Sequence, residues 1–400
     1  MELDFYATLV CMVIVLLLGR IILDNIKILR DYNIPESVVG GLLVAGIVAI
    51  VFKVFGYKIK FDYSLQEPLM LAFFTSIGLN ADLASLKKGG FVLVKFLFIV
   101  GILLLLQNII GIALARGLNQ DSLIGLLGGS ITMSGGLGTG SAWSDVFAKE
   151  PFLLSNGKEL AVACATFGLI LGGLIGGPVA RFLIKKYDLK TPQVSDKETI
   201  GFESPKKQRL ITASSFLESL ALIAISLLIG KKLGDWLQGS IFALPTFVWC
   251  LFVGVILRNL LSLFKIHQVF EREISVIGNV SLSLFLASSL MSLALWELSN
   301  LALPIVILLL AQTLLMIVYV IFVTFPLMGK NYDAAVLSAG HCGFGLGATP
   351  TAIVNMQAVT QTHGQSHIAF LIVPMVGAFF IDIINAVVIK LFLLLPFFPH

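Results

Sequence analysis

Long apolar runs alternate with short polar segments along almost the whole chain. A helix needs about 20 mainly apolar residues to cross the hydrocarbon core of a bilayer. Ten runs approach or reach this length, and each predicts a membrane helix. They lie near residues 5–23, 36–55, 65–80, 91–114, 160–182, 210–230, 244–262, 276–295, 301–325 and 367–395.

A hydrophilic stretch at 185–209 separates these runs into two sets of five. It carries two prolines and many charges, which is typical of a solvated linker. The pattern therefore predicts a first unit at 1–184 and a second unit at 210–400. Each unit also contains one glycine-rich polar stretch before its last apolar run, at 128–143 and at 338–352.

These two stretches, GGSITMSGGLGTGSAW and SAGHCGFGLGATPTA, are too polar for ordinary spanning helices and too uncharged for solvated loops. Non-helical backbone at membrane depth is tolerated only beside protein or a water-filled cavity. We therefore expect two re-entrant hairpins. A helix that starts after such a turn presents free N–H groups and a positive dipole end to an anion, while carbonyl groups at the turn suit Na⁺.

The alternative role for glycine is close helix packing, which the four-residue repeat of Gly168, Gly172 and Gly176 favours. The glycines between 135 and 140 are too densely spaced for that role, so binding is the preferred interpretation there. The nearby hydroxyl groups could donate to a carboxylate, ligate Na⁺, or bond back to their own turn.

Weak internal similarity relates the two units in the same order along the chain. Gln107 and Gln312 lie midway along the fourth helix of each unit. The other matching segments are 34–44 with 244–254, 69–79 with 281–291, and 135–142 with 344–351. Five helices per unit place the units in opposite orientations. The predicted fold is therefore an all-α polytopic membrane protein of two inverted five-helix repeats, each with a re-entrant hairpin, as in secondary transporters.

Composition and charge agree with a membrane protein. Hydrophobic residues make up 58% of the chain and charged residues only 12%, against about 25% charged residues in soluble domains. The net charge of +4 is spread through short loops, which gives no indication of nucleic-acid binding. With both termini outside, 17 Lys and Arg residues lie inside and 9 outside, so the positive-inside rule favours a cytoplasmic linker. The acidic N-terminus is unlike a cleaved signal peptide.

Candidate ligand groups concentrate in the glycine-rich stretches and in the last apolar run. The predicted substrate-binding residues are Ser134, Gly135, Gly136, Gly138, Thr139, Gly343, Gly345, Gly347, Thr349 and Asp382. The predicted Na⁺ ligands are Asn80, Ser141, Thr351, Asp382 and Asn385.

Asp382 is the most informative single residue because it lies deep within an apolar run. A carboxylate there costs several kcal/mol unless it is paired or faces a cavity. It could hold an ammonium group or Na⁺, with Asn385 one turn further on the same helix face. A structural salt bridge is the alternative.

The sequence contains no HExxH, GxSxG or Walker A motif, which argues against an enzyme and against ATP-driven transport. The four cysteines show no CxxC spacing and no disulfide framework. A channel remains an alternative at this stage. It would conduct far faster than a carrier and would have no need for opposed hairpins.

Five segments resemble the bacterial sodium/glutamate symporter family. They are 68–86, 163–181, 278–287, 329–360 and 373–391. The resemblance implies Na⁺-coupled uptake of L-glutamate across the bacterial inner membrane, with Na⁺ as coupling ion; the charge bias then places both termini in the periplasm. It also implies a homodimer and an elevator-type mechanism, in which a hairpin-bearing core slides against a scaffold. A relative that carries another organic anion with H⁺ or Na⁺ is the alternative.

The first hairpin departs from the family pattern at one position. The pattern has GGHGTG, whereas this chain has GGLGTG with Leu137 in place of the histidine. Any role of that histidine in binding substrate or a proton is absent here, so backbone N–H groups and hydroxyl groups would have to suffice.

Overall fold

Each of the ten predicted apolar runs contains a helix in the part of the chain that the structure describes. The protein is represented by a computed structural model that describes residues 2–31, 34–56, 59–189, 210–237, 244–291, 293, 302–396 and 398. The predicted linker at 185–209 lies outside the described residues from position 190 onward.

The helices of the first half are α1 (Phe5–Asn25), α2 (Lys27–Asp31), α3 (Glu36–Phe55), α4 (Gln66–Asn80), α5 (Ala84–Gly117), α6 (Ser122–Leu126), α7 (Gly136–Phe147) and α8 (Gly157–Lys186). Those of the second half are α9 (Ala213–Trp236), α10 (Thr246–Leu263), α11 (Glu271–Met291), α12 (Ala302–Tyr319), α13 (Phe325–Leu327), α14 (Tyr332–Gly345), α15 (Thr349–His363), α16 (His367–Met375) and α17 (Ile381–Leu393). Wide π-helical turns at Leu127–Ile131, Val320–Thr324 and Val376–Phe380 interrupt the regular α-helix.

Nine helical segments of the described chain are long and apolar enough to cross a membrane, which makes this a multi-pass membrane protein. Two of them continue through a wide turn, so α12 with α13 and α16 with α17 each form one span. The helix α4 has 15 residues and is shorter than a full span. The predicted helix near 91–114 starts earlier, at Ala84, and bends at Gly90, where φ is 58°.

The helices pack as two groups. The first, which we call the scaffold group, contains α1, α3, α4, α9, α10 and α11. The second, the hairpin group, contains α5–α8 and α12–α17. The groups meet where α11 faces α7, where α10 faces α17, and where α4 faces the wide turn at Val376–Phe380.

Corresponding contacts recur in the two halves of the scaffold group. Gly78 on α4 lies against Leu251 on α10, and Leu290 on α11 lies against Gly41 on α3. The internal similarity equates Gly78 with Leu290 and Leu251 with Gly41. The two contacts are therefore equivalent: the first half contributes α4 to one and α3 to the other, and the second half contributes the matching partners α10 and α11.

Glycine is required at the first of these contacts. A Cβ atom on Gly78 would lie 2.1 Å from the Leu251 carbonyl oxygen, which is backbone and cannot move aside. Gly172 lies against the second hairpin in a less severe contact, where a Cβ atom would lie 3.1 Å from the Cys342 carbonyl oxygen. This contact agrees with the packing role predicted for the glycines of α8.

We expect Gly78→Ala to destabilise the protein by about 1–3 kcal/mol, because the methyl group forces α4 and α10 apart. The midpoint of thermal unfolding of the purified protein in detergent should fall. Gly46→Ala on α3 is the matched control, since a Cβ atom there meets no atom within 4 Å. Equal midpoints for the two variants would contradict the close contact.

Candidate functional site

Each glycine-rich stretch folds as a helix–turn–helix hairpin. In the first hairpin, α6 and its wide turn lead to a reversal at Ser134 and Gly135, after which α7 begins. In the second hairpin, α14 reverses at residues 346–348, after which α15 begins. We call these two reversals, with the residues that flank them at 134–138 and 345–349, the hairpin tips.

The two tips touch each other. Gly136 has a φ of +67°, which favours glycine, and a Cβ atom on it would lie 3.3 Å from the Gly347 carbonyl oxygen. Two segments that are 211 positions apart in sequence therefore meet at one point of the fold.

A cavity of about 530 Å³ opens beside this contact. Both tips line it, together with the wide turn before α17, the end of α4, and α11. The predicted site residues in its wall are Asn80, Ser134, Gly135, Gly136, Gly138, Gly347, Thr349, Thr351 and Asp382.

The helices α7 and α15 both begin at this cavity without a side-chain cap. Their N-cap residues are Gly135 and Ala348, and neither side chain accepts a hydrogen bond from the helix. By contrast, Asp121 caps α6 and Asn331 caps α14. The first-turn N–H groups of a helix have no acceptor within that helix. Two positive helix ends therefore face the same space, which suits an anionic ligand.

Asp382 supplies a carboxylate to the same cavity. Its Oδ1 accepts a 3.4 Å hydrogen bond from Thr139 Oγ1, so Thr139 reaches the site from behind the tip. Among the described residues no Lys or Arg forms a salt bridge with Asp382. The observed geometry therefore does not include the structural salt bridge that was the alternative role for this residue.

Three of the predicted Na⁺ ligands carry a buried oxygen without a hydrogen-bond partner. These oxygens are Asn80 Oδ1, Ser141 Oγ and Thr351 Oγ1. Asn80 and Thr351 line the cavity, whereas Ser141 lies within α7 behind the first tip. A buried polar atom left unpaired costs free energy, and a hard cation with oxygen ligands would relieve this cost.

Three other predicted site residues lie next to the cavity rather than in its wall. Asn385 is fully buried, and its Oδ1 accepts a 2.6 Å hydrogen bond from Ser130 Oγ in the wide turn of the first hairpin. Gly343 packs against Ala352, and Gly345 packs against Met316. These residues shape the hairpins.

Gln107 joins the two tips and was not predicted as a site residue. Its Nε2 donates a 2.7 Å hydrogen bond to the Gly345 carbonyl, and its Oε1 accepts one of 2.7 Å from Ser134 Oγ. The side chain is fully buried. Gln312 Nε2 in turn donates to the Gln107 carbonyl at 2.8 Å. Gln107 and Gln312 occupy matching positions in the two units, and this was the sequence feature that could have indicated a structural role for Gln107.

Leu137 and His341 belong to the first and second hairpin, whereas Asn279 lies on α11 of the scaffold group. Leu137 and Asn279 line the cavity, so the departure from the family pattern falls in the site itself. His341 lies outside it. The imidazole is fully buried, with Nδ1 3.0 Å from Thr324 Oγ1, as expected for a structural histidine.

Comparison with known proteins gives one family along nearly the whole chain. A family model described as sodium/glutamate symporter matches residues 1–365. The sodium/glutamate symporters of Escherichia coli (strain K12) and Shigella flexneri are each 58% identical over 398 residues, which is 99% of both chains. The sodium/glutamate symporter of Haemophilus influenzae is 53% identical over 388 residues, which is 96% of both chains.

We expect Gln107→Leu to loosen both tips, since it removes the hydrogen bonds to Ser134 and Gly345. Backbone hydrogen exchange at residues 134–138 and 345–349 should speed up roughly tenfold, the effect of about 1.4 kcal/mol of lost local stability. Gln312→Leu is the control, because Gln312 bonds to α5 and to neither tip. Unchanged exchange at the tips in Gln107→Leu would show that this side chain does not hold them together.

Proposed function

The chain belongs to the sodium/glutamate symporter family, and we propose that the cavity between its hairpin tips is where both solutes bind. It is a transporter rather than an enzyme, and its activity is Na⁺-coupled symport of glutamate. Two uncapped helix N-termini and the carboxylate of Asp382 face one cavity, and this arrangement is the main support for the proposal.

Glutamate has two carboxylates and one ammonium group, which is the complement of what the cavity presents. The first turns of α7 and α15 would each take a carboxylate, with the hydroxyl group of Thr349 as a further donor. A carboxylate at a helix N-terminus gains about 0.3–1 kcal/mol when exposed and up to about 2 kcal/mol when partly buried. Asp382 would face the ammonium group or a Na⁺ ion.

Na⁺ would bind next to the amino acid through oxygen ligands. Asn80 and Thr351 supply unpaired oxygens in the cavity wall, and Ser141 supplies one behind the tip. A cation there lowers the electrostatic cost of bringing an anion into the membrane interior. By linkage, each solute then raises the affinity of the other by the same factor, which is the basis of symport.

We further propose that the units at 1–184 and 210–400 are inverted repeats related by a pseudo-twofold axis. The equivalent contacts of Gly78 with Leu251 and of Leu290 with Gly41 support this relation. A second equivalent pair adds to it, because Leu79 packs in a cluster with Ile223 on α9, and Met291 packs in a cluster with Met12 on α1. The hairpins would then enter the bacterial inner membrane from opposite faces.

The two helix groups support an elevator-type mechanism. The hairpin group contributes both tips and Asp382, so nearly all of the proposed ligand contacts would move together. The scaffold group contributes a wall built from the start of α3, the end of α4 and residues 275–286 of α11. In the orientation predicted from the charge bias, with both termini periplasmic, these ends of α3 and α4 lie on the cytoplasmic side. The cavity is therefore assigned to an inward-facing state, and the homodimer implied by the resemblance stays a prediction.

We expect an inward Na⁺ gradient to drive glutamate accumulation in proteoliposomes, and dissipation of that gradient to abolish it. Asp382→Asn should lower Na⁺-driven uptake by at least a hundredfold, because the neutral amide no longer balances the ammonium group or Na⁺. Radiolabelled glutamate measures both. A panel of competing organic anions in the same assay reports the substrate class.

Asp24→Asn on α1 is the matched control, since this carboxylate is exposed and does not line the cavity. Accumulation without a Na⁺ gradient would contradict the coupling. Normal affinities for Na⁺ and glutamate in Asp382→Asn would remove this residue from the site.

A further inference from the structure

A second cavity lies between the two helix groups, on the opposite side of their interface from the proposed site. Its volume is about 910 Å³. The start of α4 and the start of α10 form one wall, and the end of α7 and the end of α17 form the other. In the proposed orientation all four helix ends are periplasmic. We call this space the outer cavity.

The internal similarity of the repeats equates the scaffold walls of the two cavities. The match of α3 with α10 relates residues of one wall to residues of the other. The match of α4 with α11 does the same when it is extended to the first residues of α4. The equivalent pairs are Pro35 and Pro245, Asn279 and Glu67, and Leu282 and Met70. The scaffold wall of the outer cavity is therefore equivalent to the scaffold wall that the hairpin tips face at the cytoplasmic side.

One hydrogen bond crosses the outer cavity from group to group. Gln66 Nε2 on α4 donates to Asp145 Oδ2 on α7 at 2.8 Å. The other carboxylate oxygen, Oδ1, lies 3.6 Å from Lys158 Nζ on α8, so the charge of Asp145 is balanced within its own group. The charged side chains that line the cavity with Asp145 are Glu67, Lys149, Glu150 and Lys390.

This bond has no counterpart on the other side of the pseudo-twofold axis. Gln66 corresponds to Gly278, and Asp145 corresponds to Val354. Neither residue of the equivalent pair has a polar side chain. Two perfectly equivalent repeats would give two states of equal free energy, so a bond present in only one of them shifts the balance toward that state.

We propose that the outer cavity is the scaffold half of the outward-facing site, and that Gln66 and Asp145 form a latch that holds the inward-facing state. This inference rests on the elevator mechanism proposed above. Movement of the hairpin group by one helical turn, about 5 Å, exceeds hydrogen-bond reach and so breaks the latch.

The population of the outward-facing state tests the latch directly. Ala378 lines the site on the moving group and serves as a reporter when changed to cysteine in a Cys11→Ala background, because the other three cysteines are buried. A membrane-impermeant maleimide added to right-side-out vesicles without Na⁺ or glutamate should label it only in the outward-facing state. Gln66→Leu should speed labelling about fivefold, the effect of one net hydrogen bond on an equilibrium.

Matched variants separate the latch from general loosening. Asp145→Ala should have the same effect as Gln66→Leu, and the double variant no more than either. Asp145→Asn keeps an acceptor oxygen opposite Gln66 and should label like the parent protein. Gln361→Leu, on the exposed face of α15, is the control for the change of residue type. Unchanged or slower labelling in both Gln66→Leu and Asp145→Ala overturns the latch.

A cysteine pair distinguishes failure of the latch from failure of the mechanism. Gln66→Cys with Asp145→Cys, bridged by Hg²⁺, should lose Na⁺-driven uptake and regain it after addition of excess thiol. Full uptake by the bridged protein would show that the two groups do not move apart, which would overturn the elevator mechanism itself.

Discussion

Two sets of free backbone N–H groups in the interior of the fold determine how the rest of this structure is arranged. The helices α7 and α15 both start in the middle of the fold without a side-chain cap. Such groups are costly wherever lipid or packed protein surrounds them. They are tolerated here because a cavity lies next to them, and in the proposed transport cycle an anion would occupy that cavity. The glycines keep this space open, while Gln107 and Asn385 hold the unwound backbone in place from behind.

Buried polar contacts, rather than apolar packing alone, give the tips one arrangement. Apolar packing determines that the helices associate, but it does not fix where a turn lies along a helix axis. The bonds from Gln107 to Gly345 and from Asn385 to Ser130 fix both hairpins relative to α5 and α17. In the elevator mechanism proposed above, the hairpin group would then move as one body, and its site would keep the same geometry on either side of the membrane.

The apolar pattern predicted the helices well because a spanning segment must satisfy its backbone internally, whatever its neighbours are. It also located the hairpins, since glycine and hydroxyl groups are costly in an ordinary span. The sequence could not separate residues in the cavity wall from those one layer behind it. Gly136 and Gly345 occupy equivalent positions in similar motifs, yet one lines the cavity and the other packs against Met316. Gln107 was missed because its partners, Ser134 and Gly345, are near it only in the folded chain.

The proposed site can be checked by determining a structure with bound L-glutamate and Na⁺. We expect ligand density between the hairpin tips, with carboxylates at the first turns of α7 and α15 and with the ammonium group or a cation next to Asp382. Density for glutamate in the outer cavity, or at a site that does not touch either helix N-terminus, would contradict it.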